Sequence, residues 1–349
     1  MKKIGVITLN GNYNFGNRLQ NYAMIEVLKK YTNCVENIWV ADKEKYKKRN
    51  KKIIFPKTHD DRRFNMFCDF TKKYINNRNI ETTNNINTDE YDYFVVGSDQ
   101  VWNPTFGFFD HTRMFLNFSK DKNKNIAYAA SIGIAEIPTE HIDAFKNGFD
   151  SFKALSVREE NAKRIIEELN ERRDTEVVID PTLVLPSESW DKIAKKPKGL
   201  NKNDKFILTC FLGEFSKEHR DEVYEIAEKN NWKVINLMDE SDPFYCSGPR
   251  EFVYLEKNAE VVLTDSFHSC VFATIYNRPF VIYDRITEGM APMNARTDSL
   301  IKTFELKDRV FNGKLTKENL VCDYSRANEL LEKEQAKALD FIERALDIN

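Results

Sequence analysis

Short apolar runs recur along the chain, and each stops at small, polar or charged residues before an amphipathic stretch begins. Residues 4–9 read as a buried strand that ends in a polar loop holding Gly11 and Gly16. From Arg18 onward, Leu19, Tyr22, Ala23, Ile25 and Leu28 fall at helical spacing. Strand, glycine loop and helix in that order are how α/β folds open. Further strands are predicted at residues 35–40, 93–96, 126–130, 154–157 and 177–179. The later ones end at Gly97-Ser98-Asp99-Gln100, at Ser131-Ile132-Gly133, at Arg158-Glu159-Glu160 and at Asp180-Pro181-Thr182. Open α/β sheets bind ligands at the carboxyl ends of their strands, so these endings mark one edge as a site.

The pattern then repeats. A stretch rich in Lys, Pro, Gly and Asn at residues 195–204 reads as a linker. Beyond it, strands are predicted at 206–211, 233–237, 261–264 and 279–283, with helices at 217–229, 249–258 and 269–276. Residues 324–349 form one amphipathic helix. At 349 residues the chain exceeds what one core usually supports. The expectation is α/β throughout: a Rossmann-like domain over 1–195, a second over 205–320, and a C-terminal helix over 324–349 that packs back on them.

Composition narrows the function classes. Hydrophobic residues make up 41% and charged residues 31%, which is ordinary soluble globular material. A formal net charge of −2 offers no electrostatic support for a nucleic-acid partner. The six cysteines form no C-x-x-C pair, so free thiols in a reducing compartment are expected and a zinc site is not. No run approaches the ~20 apolar residues that span a bilayer, and the opening apolar run is too short for a signal peptide. A cytoplasmic protein is expected. Between Lys43 and Arg63 lies a segment dense in Lys and Arg, interrupted by Ile53-Ile54-Phe55-Pro56. Its ordinary reading is a solvated helix and loop; its functional reading is a docking surface for an anionic lipid carrier or the inner face of the membrane.

The strand endings supply the candidate chemistry. His268 follows a buried strand beside Asp265 and Ser266, where an imidazole can hold a phosphate or move a proton. Arg158 offers the planar fork that pairs with carboxylate or phosphate, or else an ion pair with Glu159 or Glu160. Arg285 and Arg296 raise the case for a small dianion. The loop Asn12-Tyr13-Asn14-Phe15-Gly16-Asn17-Arg18 is neither a dinucleotide-binding nor a P-loop glycine motif, and its asparagines suit sugar hydroxyls. Asp99 and Asp180 are candidate bases or caps, and Trp102 is either a sugar platform or core. Ser266 and Asp265 are too close in sequence to His268 for triad geometry.

Taken in order, Asn14–Ala23 (Asn-Phe-Gly-Asn-Arg-Leu-Gln-Asn-Tyr-Ala), Val96-Gly97-Ser98-Asp99-Gln100-Val101-Trp102-Asn103-Pro104, Ser156-Val157-Arg158-Glu159, Asp180-Pro181-Thr182, Thr264-Asp265-Ser266-Phe267-His268 and Asn294-Ala295-Arg296-Thr297-Asp298-Ser299-Leu300 resemble the polysaccharide pyruvyl transferase family. The resemblance implies two Rossmann-type domains in a glycosyltransferase-B-like arrangement, with the active site in the cleft between them. It implies transfer of pyruvate from phosphoenolpyruvate to a sugar as a cyclic ketal, in the making of capsule or cell-envelope polysaccharide on a lipid-linked saccharide acceptor. Family members use an Arg at the position of Arg158 and a His at that of His268 around phosphoenolpyruvate. Several also carry Arg two residues before that His, where this chain has Ser266. A second cationic contact must therefore come from Arg285 or Arg296.

On that basis the donor is assigned to Arg158, Ser266, His268, Arg285 and Arg296. The acceptor is assigned to Asn14, Asn17, Arg18, Gln20, Ser98, Asp99, Gln100 and Trp102. Catalysis falls to His268, Arg158 and Asp99, with no metal or cofactor. The competing readings are a nucleotide-sugar glycosyltransferase of the same architecture and a non-catalytic saccharide-binding protein.

Overall fold

The computed structural model describes residues 2–41, 51–107, 109–286 and 295–348. Residues 43–50 of the basic run and Asn294 of the last motif lie outside the described residues. Two compact units emerge: Met1–Lys52, Cys68–Leu185 and Lys333–Asn349 form the first, Ile53–Phe67 and Pro186–Glu332 the second. The units part at Leu185–Pro186 rather than within residues 195–204, and the segment Ile53–Phe67 groups with the second unit.

In the first unit, among the described residues, seven strands form one parallel sheet. They are β1 (Lys3–Ile7), β2 (Cys34–Val40), β3 (Asn77–Ile80), β4 (Tyr93–Val96), β5 (Asn125–Ala130), β6 (Ala154–Val157) and β7 (Glu176–Val177), in the order β3-β2-β1-β4-β5-β6-β7. The central β4 and β5 are buried along their whole length, which is why they are near-continuous apolar runs. β3 (Asn-Arg-Asn-Ile) escapes the apolar pattern because it is an edge strand, and three of its four residues are only partly buried.

β5 carries an irregularity. Its register with β6 shifts between Ala127 and Ala130, and Ala129 sits at φ 46°. Ser156 repairs the broken ladder: its Oγ donates to Ala127 O at 3.0 Å and accepts from Ala129 N at 3.1 Å. Such bulges re-aim a strand end next to a site.

Residues from Lys333 onward lie against this unit. Gln335 Nε2 donates to Leu183 O at 2.7 Å, Phe341 packs against the Tyr128 ring, and Tyr93 Oη donates to Leu346 O at 3.1 Å.

In the second unit, among the described residues, β8 (Phe206–Cys210), β9 (Lys233–Asn236), β10 (Val261–Thr264) and β11 (Phe280–Ile282) form a parallel sheet in the order β11-β10-β8-β9. The helix Pro249–Asn258 matches its expected span. The helix expected at 269–276 instead begins at Phe267, which puts His268 in its first turn. No helix among the described residues is long and apolar enough to cross a membrane.

Candidate active site

Both sheets reverse their strand order, the first between β1 and β4, the second between β8 and β10. Ligands of open α/β sheets bind at such switch points. In each unit a carboxylate spans the switch. Asp99, after β4, accepts from Asn17 Nδ2 in the first turn of the helix that follows β1. Asp265, after β10, accepts from Leu212 N and Gly213 N after β8, each at 2.7 Å.

In the first unit, Asn14 caps the helix Phe15–Leu28 by accepting from Asn17 N. Asn17 is then fixed at both ends of its amide, since Gly11 N donates to its Oδ1 at 3.2 Å. Asp99 sits at φ 67°, an uncommon conformation for a non-glycine residue, and its Oδ1 accepts from Gln100 N. The preceding Gly97–Ser98 peptide is cis. Gly97, at φ 114°, leaves no room for a side chain: a Cβ would stand 2.2 Å from Tyr128 O.

Arg158 lies buried among three carboxylates. Its Nη1 donates to Asp180 Oδ2 at 2.7 Å, its Nη2 stands 3.7 Å from Asp99 Oδ1, and its Nε 3.9 Å from Glu159 Oε2. Burial works against the guanidinium, but Asp180, Asp99 and Glu159 outweigh it and hold the pKa above the ordinary arginine value. Asp180 also accepts from Ser98 Oγ and caps the turn at Thr182. Glu159 Oε1 ties down the loop after β5, accepting from Ser131 Oγ at 2.8 Å, Ile132 N at 3.0 Å and Gly133 N at 3.3 Å. Asp99, Glu159 and Asp180 thus gather three carboxylates around the single guanidinium of Arg158.

Several residues assigned to the acceptor turn out to hold the scaffold. Arg18 is 0% exposed, donates to Leu9 O and Asn10 Oδ1 at 3.1 Å each, and is drawn down by burial to a pKa of about 9. Gln20 Nε2 donates to Thr8 Oγ1 at 2.8 Å. Trp102 is 0% exposed, donates from Nε1 to Met114 O and packs against Phe115, Phe149 and Phe152. Of its two readings, core is the one the packing shows, because no ring face is left for a sugar. Ser98 is spent on Ala129 O and Asp180. Gln100, nearly buried, accepts from Asn103 Nδ2 at 2.7 Å. The aromatic ring that sequence reasoning passed over is Tyr13, 52% exposed beside Asn14. Its place in a loop between a strand and a helix was the available signal.

The second unit has the opposite polarity. Ser266 precedes the helix Phe267–Ile275 without making a side-chain cap bond. The first-turn N–H groups of this nine-residue helix, with its dipole, favour an anion. His268 lies in that turn, largely buried, with its ring edge-on to Phe267. Arg285 Nη2 donates to Asp265 O at 2.9 Å, and its Nε stands 3.5 Å from Asp265 Oδ2. The cation thus lies against the backbone just ahead of position 266. Arg296 is nearly buried on the helix Ala295–Thr303, which packs against the helix carrying His268. Among the described residues no group of His, Cys, Asp and Glu could hold a metal ion.

A family model described as polysaccharide pyruvyl transferase matches residues 14–285. None of the curated proteins matches the chain. Among solved structures, a glycosyltransferase from Rickettsia africae is similar at 9% identity and TM-score 0.53, with 100% of each chain covered. The UDP-GlcNAc 2-epimerase of Neisseria meningitidis, bound to UDP-GlcNAc, is similar at 12% identity and TM-score 0.51, again over 100% of both chains. At these identities the likeness is one of fold, and the fold is the expected one: two α/β units on parallel sheets.

Proposed function

The chain belongs to the polysaccharide pyruvyl transferase family, and from that membership we propose that it transfers pyruvate from phosphoenolpyruvate to two hydroxyls of a sugar, forming a cyclic ketal. One observation carries the assignment of roles: carboxylates dominate the strand ends of the first unit, while a helix N-terminus, His268 and arginines dominate those of the second. A trianionic donor suits the second set, and hydroxyls that must lose protons suit the first.

In this reading Ser266, His268, Arg285 and Arg296 hold the donor's phosphate and carboxylate. Arg285 supplies the cation that other members place two residues before the histidine. Protonation at C3 of phosphoenolpyruvate makes C2 electrophilic. One sugar hydroxyl adds there, the second displaces phosphate, and of the two hydroxyl protons one balances the new methyl group while the other leaves with phosphate. Asp99 accepts the acceptor's proton, and His268 serves the phosphate end. Arg158, ringed by three carboxylates, acts on the donor less than on Asp99, whose charge it balances and whose Oδ1 it faces. Tyr13 is the exposed ring on which a sugar face would stack. The acceptor is a saccharide, carried on a lipid.

The test is protection against thermal unfolding by phosphoenolpyruvate, with UDP- and GDP-sugars in parallel, on wild type and Arg285→Ala. A donor at ~100 times its dissociation constant adds about 2.7 kcal/mol. A shift with phosphoenolpyruvate that Arg285→Ala loses supports the reading; a shift only with a nucleotide sugar replaces it with a glycosyltransferase.

A further inference from the structure

The first unit has a cavity of about 750 Å³ whose lining includes Lys29, Lys51, Lys72 and Lys73. Lys29 follows the helix that starts at Phe15, and Asn76 and Asn77, which also line the cavity, lead into β3. That end of the cavity therefore lies at the amino ends of the strands, the edge opposite Asp99 and Arg158. Its volume is in the range of small-molecule sites.

Among the described residues the charge of this cavity is not balanced. Lys29 pairs with Glu26 at 2.8 Å, and Lys73 lies over the Tyr74 ring at 5.0 Å. Among the described residues, Lys51 and Lys72 have no ion-pair partner and no carboxylate is part of the lining. A second observation concerns the cavity wall. Thr71 lines the cavity, is 2% exposed, and its hydroxyl makes no hydrogen bond. A buried hydroxyl is ordinarily satisfied, and an unmade bond of this kind is costly. Beside it, burial first and Asp69 second raise the Cys68 thiol to about 11, so the thiol stays neutral and adds no negative charge.

We propose that this cavity binds a diphosphate group, as an anion site separate from the strand-end site. Two unpaired ammonium groups call for a ligand with at least two negative charges, and the Thr71 hydroxyl supplies a hydrogen bond to a phosphate oxygen. The volume leaves space for an organic group attached to the diphosphate. The inference is independent of which donor the strand-end site uses.

Calorimetric titration of the full chain with inorganic pyrophosphate, UDP and geranyl diphosphate tests it, on wild type, a Lys51→Glu/Lys72→Glu double variant and Thr71→Val. The lysines are exposed and Thr71→Val is isosteric, so melting temperatures should stay unchanged. Saturable pyrophosphate binding, weakened at least tenfold by the double reversal and several-fold by Thr71→Val, is the expected result. Tighter binding of geranyl diphosphate than of UDP would assign the group to a lipid headgroup, and the reverse order to a soluble nucleotide. Affinity unaffected by the double reversal, or no saturable binding by any of the three, overturns the proposal. So does a lysine effect that Thr71→Val leaves untouched and that salt abolishes, since that is diffuse attraction rather than a built site.

Discussion

Arg158 and Asp180 form a buried ion pair at 2.7 Å, and the same Asp180 oxygen accepts from Ser98 Oγ at 2.9 Å. The aspartate thus joins the ends of β4, β6 and β7. Asp180→Ala would take away the one carboxylate hydrogen-bonded to the buried guanidinium, leaving Asp99 and Glu159 at 3.7 and 3.9 Å, and would free the Ser98 loop, at a cost of about 3 kcal/mol. Chemical denaturation should show that loss. A cost below about 1 kcal/mol would mean the pair contributes little to the fold.

Asp99 makes a separate prediction. Asp99→Asn removes the base and sets an amide N–H₂ against one of the two donors that the carboxylate accepts from, Gln100 N or Asn17 Nδ2. Turnover should fall by roughly 10²–10⁴-fold, while the lost acceptor lowers the melting temperature by only a few degrees and leaves the protein folded. Near-normal turnover would assign the base elsewhere.

Arg285 is expected to act on the donor. Charge-assisted hydrogen bonds contribute about 1.5–3 kcal/mol, so Arg285→Ala should raise the phosphoenolpyruvate KM by about 10- to 100-fold. Initial rates at varied donor concentration separate this from a kcat effect. An unchanged KM would shift the second cationic contact to Arg296.

Glu256 has no exposed surface, and burial pushes its carboxyl well above the ordinary carboxylate range, while Ser269 Oγ donates to its Oε1. A carboxyl raised on folding contributes fully below its unfolded pKa and loses that contribution as pH rises toward its folded value. Glu256→Gln should therefore leave the melting temperature nearly unchanged at pH 4 and raise it by a few degrees at pH 8. Equal effects at both pH values would show that the carboxyl does not titrate with folding.

Much of this architecture was legible because a strand buried on both faces is an apolar run. β4, β5, β8 and β10 could be read from that alone, and so could the polar residues that end them. β3 could not, since an edge strand need not be apolar. The helix carrying His268 begins two residues earlier than its apolar spacing suggested, because Phe267 and His268 are buried in its first turn. Within the site, residue type identified Asp99, Arg158 and His268 as chemistry, but it could not separate Arg18, Gln20 and Trp102 from it. Those three are polar or aromatic for the sake of buried carbonyls, hydroxyls and ring packing, a distinction that exists only once partners are known. Asn37 is similar: it stands inside β2, where Asn21 Nδ2 donates to it at 3.0 Å and it donates to Asn10 at 3.2 Å, holding the loop after β1 from beneath.

The first unit is drawn from three stretches of chain, and its final one, residues 333–349, brings Phe341 to Tyr128 and Leu346 to Tyr93. During translation those residues leave the ribosome only after all of 186–332. A nascent chain therefore carries the seven-stranded sheet with its Tyr128 and Tyr93 positions uncovered while the second unit is already available to fold. Chaperone capture should concentrate in that interval.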